Sequence, residues 1–305
     1  MTPVYKGALL SLGAALGAAL FYLPYKQAGT LTDRDVVVMT TMLVAAIFNS
    51  GAAFAAGLHN LRFDRIALVS ALVLGVLTVV GNLGTAMALG YVDAGVIGSL
   101  QQTQILFVPM ASFVLLGERV SARFAVGTAI VLFGIAIMRI TTSGGAGVHL
   151  LGIAWALLSA FCFALMHVIT RKVIDRIQVT TVNALRLWFS VVVLLCVPGN
   201  AGTLVGLDGE VWALCAAAGF AGPFLSRVAI MNAVRHITAS HSSMISLVVP
   251  LLAFTLDYAI LGAVPTVWQL LGAGVMLVGV SLPVLELMAN ESRPQAAPPG
   301  KPARS

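Results

Sequence analysis

Charge is the scarcest ingredient of this chain. Lys, Arg, Asp and Glu make up 9% of its 305 residues, where a soluble domain carries about 25%. So few charges cannot clothe a water-facing surface, and they cannot hold a chain open by mutual repulsion. A soluble enzyme and a disordered protein are both excluded. Cysteine is nearly as rare. Cys162, Cys196 and Cys215 all sit within apolar stretches, and an odd number of such thiols excludes a disulfide-built secreted module. The sequence also lacks HExxH, GxSxG, a Walker loop and CxxC. His241 beside Ser240, Ser242 and Ser243 is no catalytic pair, because neighbours on a helix point to different faces. The net charge of +6 and the isoelectric point near 9.6 do not mark a nucleic-acid binder, because no basic cluster interleaves with aromatics.

What the chain has instead is long apolar runs. Hydrophobic residues make up 59% and the mean hydropathy is +1.00. A spanning helix needs about 20 apolar residues. Runs of that kind fall near 7–25, 36–58, 66–89, 94–116, 124–138, 150–169, 180–197, 211–234, 238–262 and 267–285. Backbone in hydrocarbon must satisfy its own hydrogen bonds, so each run predicts a helix. A membrane barrel would show short alternating strands instead. The first run, after Lys6, resembles a signal peptide; with nine more behind it, it reads as the first span. Residues 291–305 hold four prolines and scattered charge, and read as a disordered cytoplasmic tail.

The basic residues orient this map. With the amino terminus in the cytoplasm, twelve of the 17 fall in cytoplasmic segments and only Lys26, Arg34 and Arg139 outside; Arg186 and Arg227 stay within the membrane. That is a positive-inside pattern, and it puts both termini in the cytoplasm of a multi-pass protein in the cell's inner (plasma) membrane.

A shift of 145 residues superposes the sequence on itself. It pairs Gly7 with Gly152, Ala15 with Ala160, Ala19 with Ala164, Ala88 with Ala233 and Ala94 with Ala239. It also pairs Leu116-Gly117 with Leu261-Gly262, Gly127 with Gly272 and Gly134 with Gly279. Five helices per half is an odd number, so the halves sit in opposite orientations. Such inverted repeats characterise secondary transporters, whose binding site lies near the midplane between the halves. The expected fold is all-α and membrane-integral, with ten transmembrane helices as two inverted five-helix repeats, 1–141 and 142–290.

The residues Leu115-Leu116-Gly117-Glu118-Arg119-Val120, the Gly127…Gly134 helix with its counterpart Gly272…Gly279, and Pro250 thirteen residues before the position matching Glu118 carry a resemblance. Over about residues 5–285 the chain resembles the drug/metabolite transporter superfamily, EamA type. The resemblance implies transport by alternating access without a cofactor; it does not imply a substrate. There are departures. Pro109 stands one turn later than the position matching Pro250, Ala263 matches Glu118, and the first helix has no acid. Small multidrug-type relatives place a carboxylate there for cations and protons.

Ionisable groups within spans are costly and should face the interior. Arg186 shares a helix face with Asn183 and Ser190, and Arg227 follows Pro223 by one turn. Two guanidiniums at similar depth match carboxylate or phosphate; the alternative is that each snorkels or bonds helix carbonyls. The repeat places Asn82 opposite Arg227, so the outer half is neutral where the inner half is cationic, which suits collection of an anionic or zwitterionic solute from the cytoplasm. Gln101 and Gln104 share a face as candidate cavity-lining groups, with helix-bridging glue as the alternative. Ser246 matches Gln101. Asp257 is the one acid well inside a span, a candidate for proton coupling or for a structural bond near the outer interface. Tyr22 and His167 are repeat partners and candidate gates, or plain interfacial side chains. Gly13 and Gly17 form a GxxxG pair expected at a close helix contact.

These readings predict a secondary transporter, not an enzyme. It would export a small polar metabolite, an amino acid or another anionic or zwitterionic solute. No cofactor, metal or nucleic acid is implied. The partners are the lipid bilayer and the solute, and the protein is a monomer or homodimer. Proton-driven multidrug or cation efflux, a membrane enzyme and a non-transporting scaffold are the alternatives.

Overall fold

The computed structural model describes residues 3–55, 65–116, 122–139, 149–173, 179–233, 236 and 245–291. The tail 292–305 and the 117–121 segment with Glu118 and Arg119 lie outside the described residues. Helices account for almost all of the rest: α1 (Pro3–Leu31), α2 (Arg34–Ala55), α3 (Arg65–Leu89), α4 (Ala94–Gln101), α5 (Gln104–Leu116), α6 (Ala122–Arg139) and α7 (Leu150–Val173). They continue with α8 (Val179–Leu195), α9 (Asn200–Val205), α10 (Gly209–Gly219), α11 (Arg227–Ala233), α12 (Val249–Leu261) and α13 (Val267–Glu291). No strand occurs among the described residues. Each of the ten apolar runs carries helix. The short α9 was not foreshadowed; it sits between the seventh and eighth runs. Among the described residues, four helical stretches are long and apolar enough to cross a membrane, Tyr5–Leu31, Arg34–Ala55, Leu68–Leu89 and Gly209–Ile230.

The outer surface is apolar. On α1, Leu9, Leu12, Leu16 and Leu20 are exposed while Ala14, Ala15 and Ala19 are buried. On α3, Leu72, Val73, Val76 and Val80 face outward and Thr78, Asn82 and Thr85 inward. This inverts the pattern of a water-soluble protein and matches a bundle whose outside meets lipid.

The packing follows the repeat. The pair α3–α7 has its mirror in α1 against α10 and α11, α3–α8 in α10–α2, and α5–α7 in α1–α12. The pairs α2–α8 and α6–α13 are their own mirrors. The main cross-half contacts therefore recur with the halves exchanged, as a pseudo-two-fold axis requires. The glycines of the repeat mark its tightest crossing. A Cβ at Gly134 would lie 2.8 Å from the Gly272 carbonyl oxygen, and one at Gly279 would lie 2.8 Å from that of Gly127. Gly262 has another reason to be glycine: it ends α12 at φ 64°, in the left-handed region that glycine tolerates best. The GxxxG expectation holds for one member only. A Cβ on Gly17 would meet the Ala221 carbonyl at 2.7 Å, whereas around Gly13 the space is open.

Two apolar runs are not plain α-helices. The fourth breaks at Gln102-Thr103, between α4 and α5. There the backbone bonds shorten to i−3, from Gln102 N to Ser99 O and from Thr103 N to Leu100 O. The ninth breaks at Leu247-Val248, just before α12, with Val248 N bonded to Ile245 O. A shift of 145 residues superposes the two breaks. In the eighth run, Phe220–Ser226 between α10 and α11 is a π-helical segment around Pro223. Proline has no N–H to donate to the turn before it, so the ladder widens there. The repeat partner of Pro223 is Thr78, inside the regular α3.

Candidate functional site

The breaks, the π segment and the inward face of α3 surround one cavity of about 230 Å³. Its wall includes Tyr22, Asn82, Gln101, Gln104, Arg186, Arg227 and Ser246. Seven of the ten residues singled out from the sequence thus come together at one place. Asn183 and Asp257 do not line it, and the side chain of His167, on α7, lies outside the described residues.

Arg186 is 6% exposed and is held from behind by neutral groups. Its Nε donates to Asn183 Oδ1 at 2.7 Å, and Asn183 Nδ2 in turn donates to Asn49 Oδ1 at 2.6 Å. Its Nη1 donates to Thr78 Oγ1 at 3.3 Å. The predicted polar stripe on α8 therefore acts as a bracket: Asn183 aims the guanidinium, and Ser190 bonds the carbonyls of Gly75 and Arg186. Arg227 opens α11, directly after the π segment. Among the described residues it donates no hydrogen bond, and neither arginine meets a carboxylate; Lys26–Asp93 is the one salt bridge there. Both guanidiniums line the same cavity. Among the described residues, no Asp, Glu, Lys or His appears in the cavity wall.

The cavity wall also holds amides and hydroxyls. Gln101 Nε2 donates to Ser159 Oγ at 2.9 Å and to Thr85 Oγ1 at 3.3 Å. Both hydroxyls lie within hydrogen-bond reach of the Gly81 carbonyl, at 2.6 Å and 3.1 Å. Their protons are thereby committed, so their oxygens accept from Gln101. Gln102 also lines the cavity, and its Oε1 is buried with no partner. Sequence reasoning passed over Gln102 because it assumed a continuous helix, on which Gln101 and Gln104 share a face; the turn at 102–103 brings Gln102 to the same wall. It also missed Thr78 and Thr85. Their steps of four and three residues around Asn82 mark one face of α3, and that signal was available.

Asp257 lies away from the cavity. Its Oδ2 accepts the Gly95 N–H at 3.1 Å, at the start of α4. Beside it, Lys26 Nζ meets Asp93 Oδ1 at 2.8 Å, and Arg34 stacks on the Tyr91 ring at 5.7 Å.

The comparisons with known proteins agree with this architecture. The model of the EamA-like transporter family matches residues 5–140 and 150–285. No curated protein matches the sequence significantly. Among solved structures, one titled "Crystal structure of protein" is similar in fold, with a TM-score of 0.63 at 17% identity, covering 94% of this chain and 99% of that one. At that identity the likeness speaks for the fold alone. With two matched repeats covering nearly all of an apolar helical bundle, the chain belongs to the EamA-like transporter family and is a multi-pass membrane transporter of the drug/metabolite transporter type.

Proposed function

We propose that the protein exports a small polar metabolite carrying an anionic group, by alternating access of the central cavity. The observation that carries this reading is the pair of arginines in the cavity wall with no carboxylate partner among the described residues. An ion taken out of water costs several kcal/mol unless it is paired, and at Arg186 the hydrogen bonds orient the charge without cancelling it. An arriving carboxylate or phosphate supplies what is missing, in the planar geometry a guanidinium prefers. Cation efflux calls for an acid in the wall, and the described wall has none. In this reading Arg186 and Arg227 bind the anionic end and Asn183 positions Arg186. Asn82, Gln101, Gln104 and Ser246 offer neutral polar contacts. The basic-residue bias supports a reading with both termini in the cytoplasm of an inner-membrane protein. The cationic half of the cavity is then the cytoplasmic one, which favours loading from inside.

The test is uptake of radiolabelled carboxylic and phosphorylated metabolites into inverted vesicles. Arg186→Ala together with Arg227→Ala should abolish uptake of the anions that the wild type moves. Truncating one partner of a buried charge pair costs about 2–5 kcal/mol, so a loss of more than about tenfold is expected. Unchanged flux in the double variant would remove the anion site.

A further inference from the structure

The charge count of the cavity says more than its sign. Two guanidiniums line it and no acid does among the described residues. Near the Asp257 end Lys26 has Asp93, and Arg34 has the Tyr91 face and Met87 Sδ. The two buried cavity arginines have no acid among the described residues. Resting on the anion reading above, we propose that the solute carries two negative charges, as a small dicarboxylate or a phosphate monoester does, and that each arginine takes up one of them.

A monoanion would neutralise one guanidinium and leave the other unpaired in a site walled mostly by carbon, where charge interactions are strong. A zwitterion fares worse, because its ammonium would enter a doubly positive cavity whose described wall holds no carboxylate to receive it. A dianion brings the local charge to zero. The amides of the wall then recognise the neutral remainder. The Gln101 amide is held by its bonds to Ser159 and Thr85, and Gln102 adds a buried amide whose oxygen has no partner among the described residues. A hydroxyl group on the solute satisfies that acceptor. The volume of about 230 Å³ suits a solute of this size. The two arginines also differ in role. Arg186 is fixed by Asn183 and Thr78 and offers a set geometry. Arg227 donates no hydrogen bond among the described residues and can follow the second charge.

The experiment measures affinity on the purified full chain in detergent, by titration calorimetry. Four probes of similar size are compared: succinate, its monoamide succinamate, L-asparagine and glycerol 3-phosphate. Succinate, glycerol 3-phosphate or both should bind at least about tenfold more tightly than succinamate and L-asparagine. Whichever of the two holds the advantage tells a dicarboxylate site from a phosphate site. Arg227→Gln is the decisive variant, because it removes one charge and leaves the bracket around Arg186 intact. It should erase the dianion's advantage, so that succinate and succinamate bind alike, and Arg227→Lys should restore part of the gap. Equal affinity for succinate and succinamate, or tightest binding of L-asparagine, would overturn the two-charge assignment and leave the anion site standing. If none of the anionic probes bound, both would fall together.

Discussion

A buried side chain reveals its purpose through the bonds it does not make. Gln102 is 3% exposed, yet its Oε1 has no partner. An unsatisfied buried acceptor costs about 1–3 kcal/mol, a cost with no structural return. Gln102→Leu, of similar volume, removes it. The variant should melt at the same temperature as wild type or higher, while anion flux in proteoliposomes falls several-fold. A purely structural glutamine would show the reverse, lower stability with flux intact. Single residues were unevenly legible in the sequence. Arg186 and Arg227 stood out because charge in an apolar run is rare. Asn49, which completes the bracket behind Arg186, did not, because one amide in a span fits many roles until its partner is known. Asn183 was placed in the wall for its helix face; the structure puts it behind the arginine, since a face shared in sequence does not say which side meets the cavity.

Among the elements, the repeat leaves its clearest mark where helices cross. The approaches of Gly134 to Gly272 and of Gly279 to Gly127 are one contact seen from both halves. Each forbids a Cβ for the same reason, overlap with a backbone carbonyl that cannot turn aside. Gly134→Ala and Gly279→Ala should therefore destabilise by similar amounts, about 1–3 kcal/mol as in other overpacked contacts. Gly274→Ala, on the same helix as Gly279 with open space around it, should cost nothing measurable. Denaturant titration of the three variants decides the point, and unequal losses for the first two would mean that the crossing is not symmetric. These glycines could be read from the sequence because their spacing repeats. The turns at 102–103 and 247–248 could not, because apolar character continues across both and periodicity registers faces, not the shift of two backbone bonds to i−3. Pro223 announced a disturbance in the eighth run, but not that the ladder would widen into a π segment and set Arg227 at the start of a new helix.

For the molecule as a whole, the departures from symmetry matter more than the symmetry. Near one end of the cavity-forming helices Asp257 holds the Gly95 N–H, and Lys26 holds Asp93. The first tie joins α12 of the second half to α4 of the first, so it must open if the halves are to part there. Under the repeat, Asp257 corresponds to Ser112, Lys26 to Arg171 and Asp93 to Thr238, so neither carboxylate recurs at the opposite end. If carboxylate ties of this kind gate a two-fold bundle, its resting states are unequal and the end bearing Asp257 is the one they hold shut. In the orientation proposed above that end faces outward. A hydrogen bond to a charged group contributes about 1.5–3 kcal/mol, enough to shift a two-state population by about tenfold or more. Asp257→Ala should release that end. The reporter is a Tyr22→Cys side chain in the cavity wall, with Cys162, Cys196 and Cys215 replaced by alanine. In right-side-out vesicles a membrane-impermeant maleimide should label it about tenfold faster in the Asp257→Ala background than with Asp257 in place. Asp257→Asn, which keeps an acceptor for the Gly95 N–H, should fall between the two. If all three label at one rate while remaining folded, the tie does not hold the gate, and the inequality of the two ends must rest on packing alone.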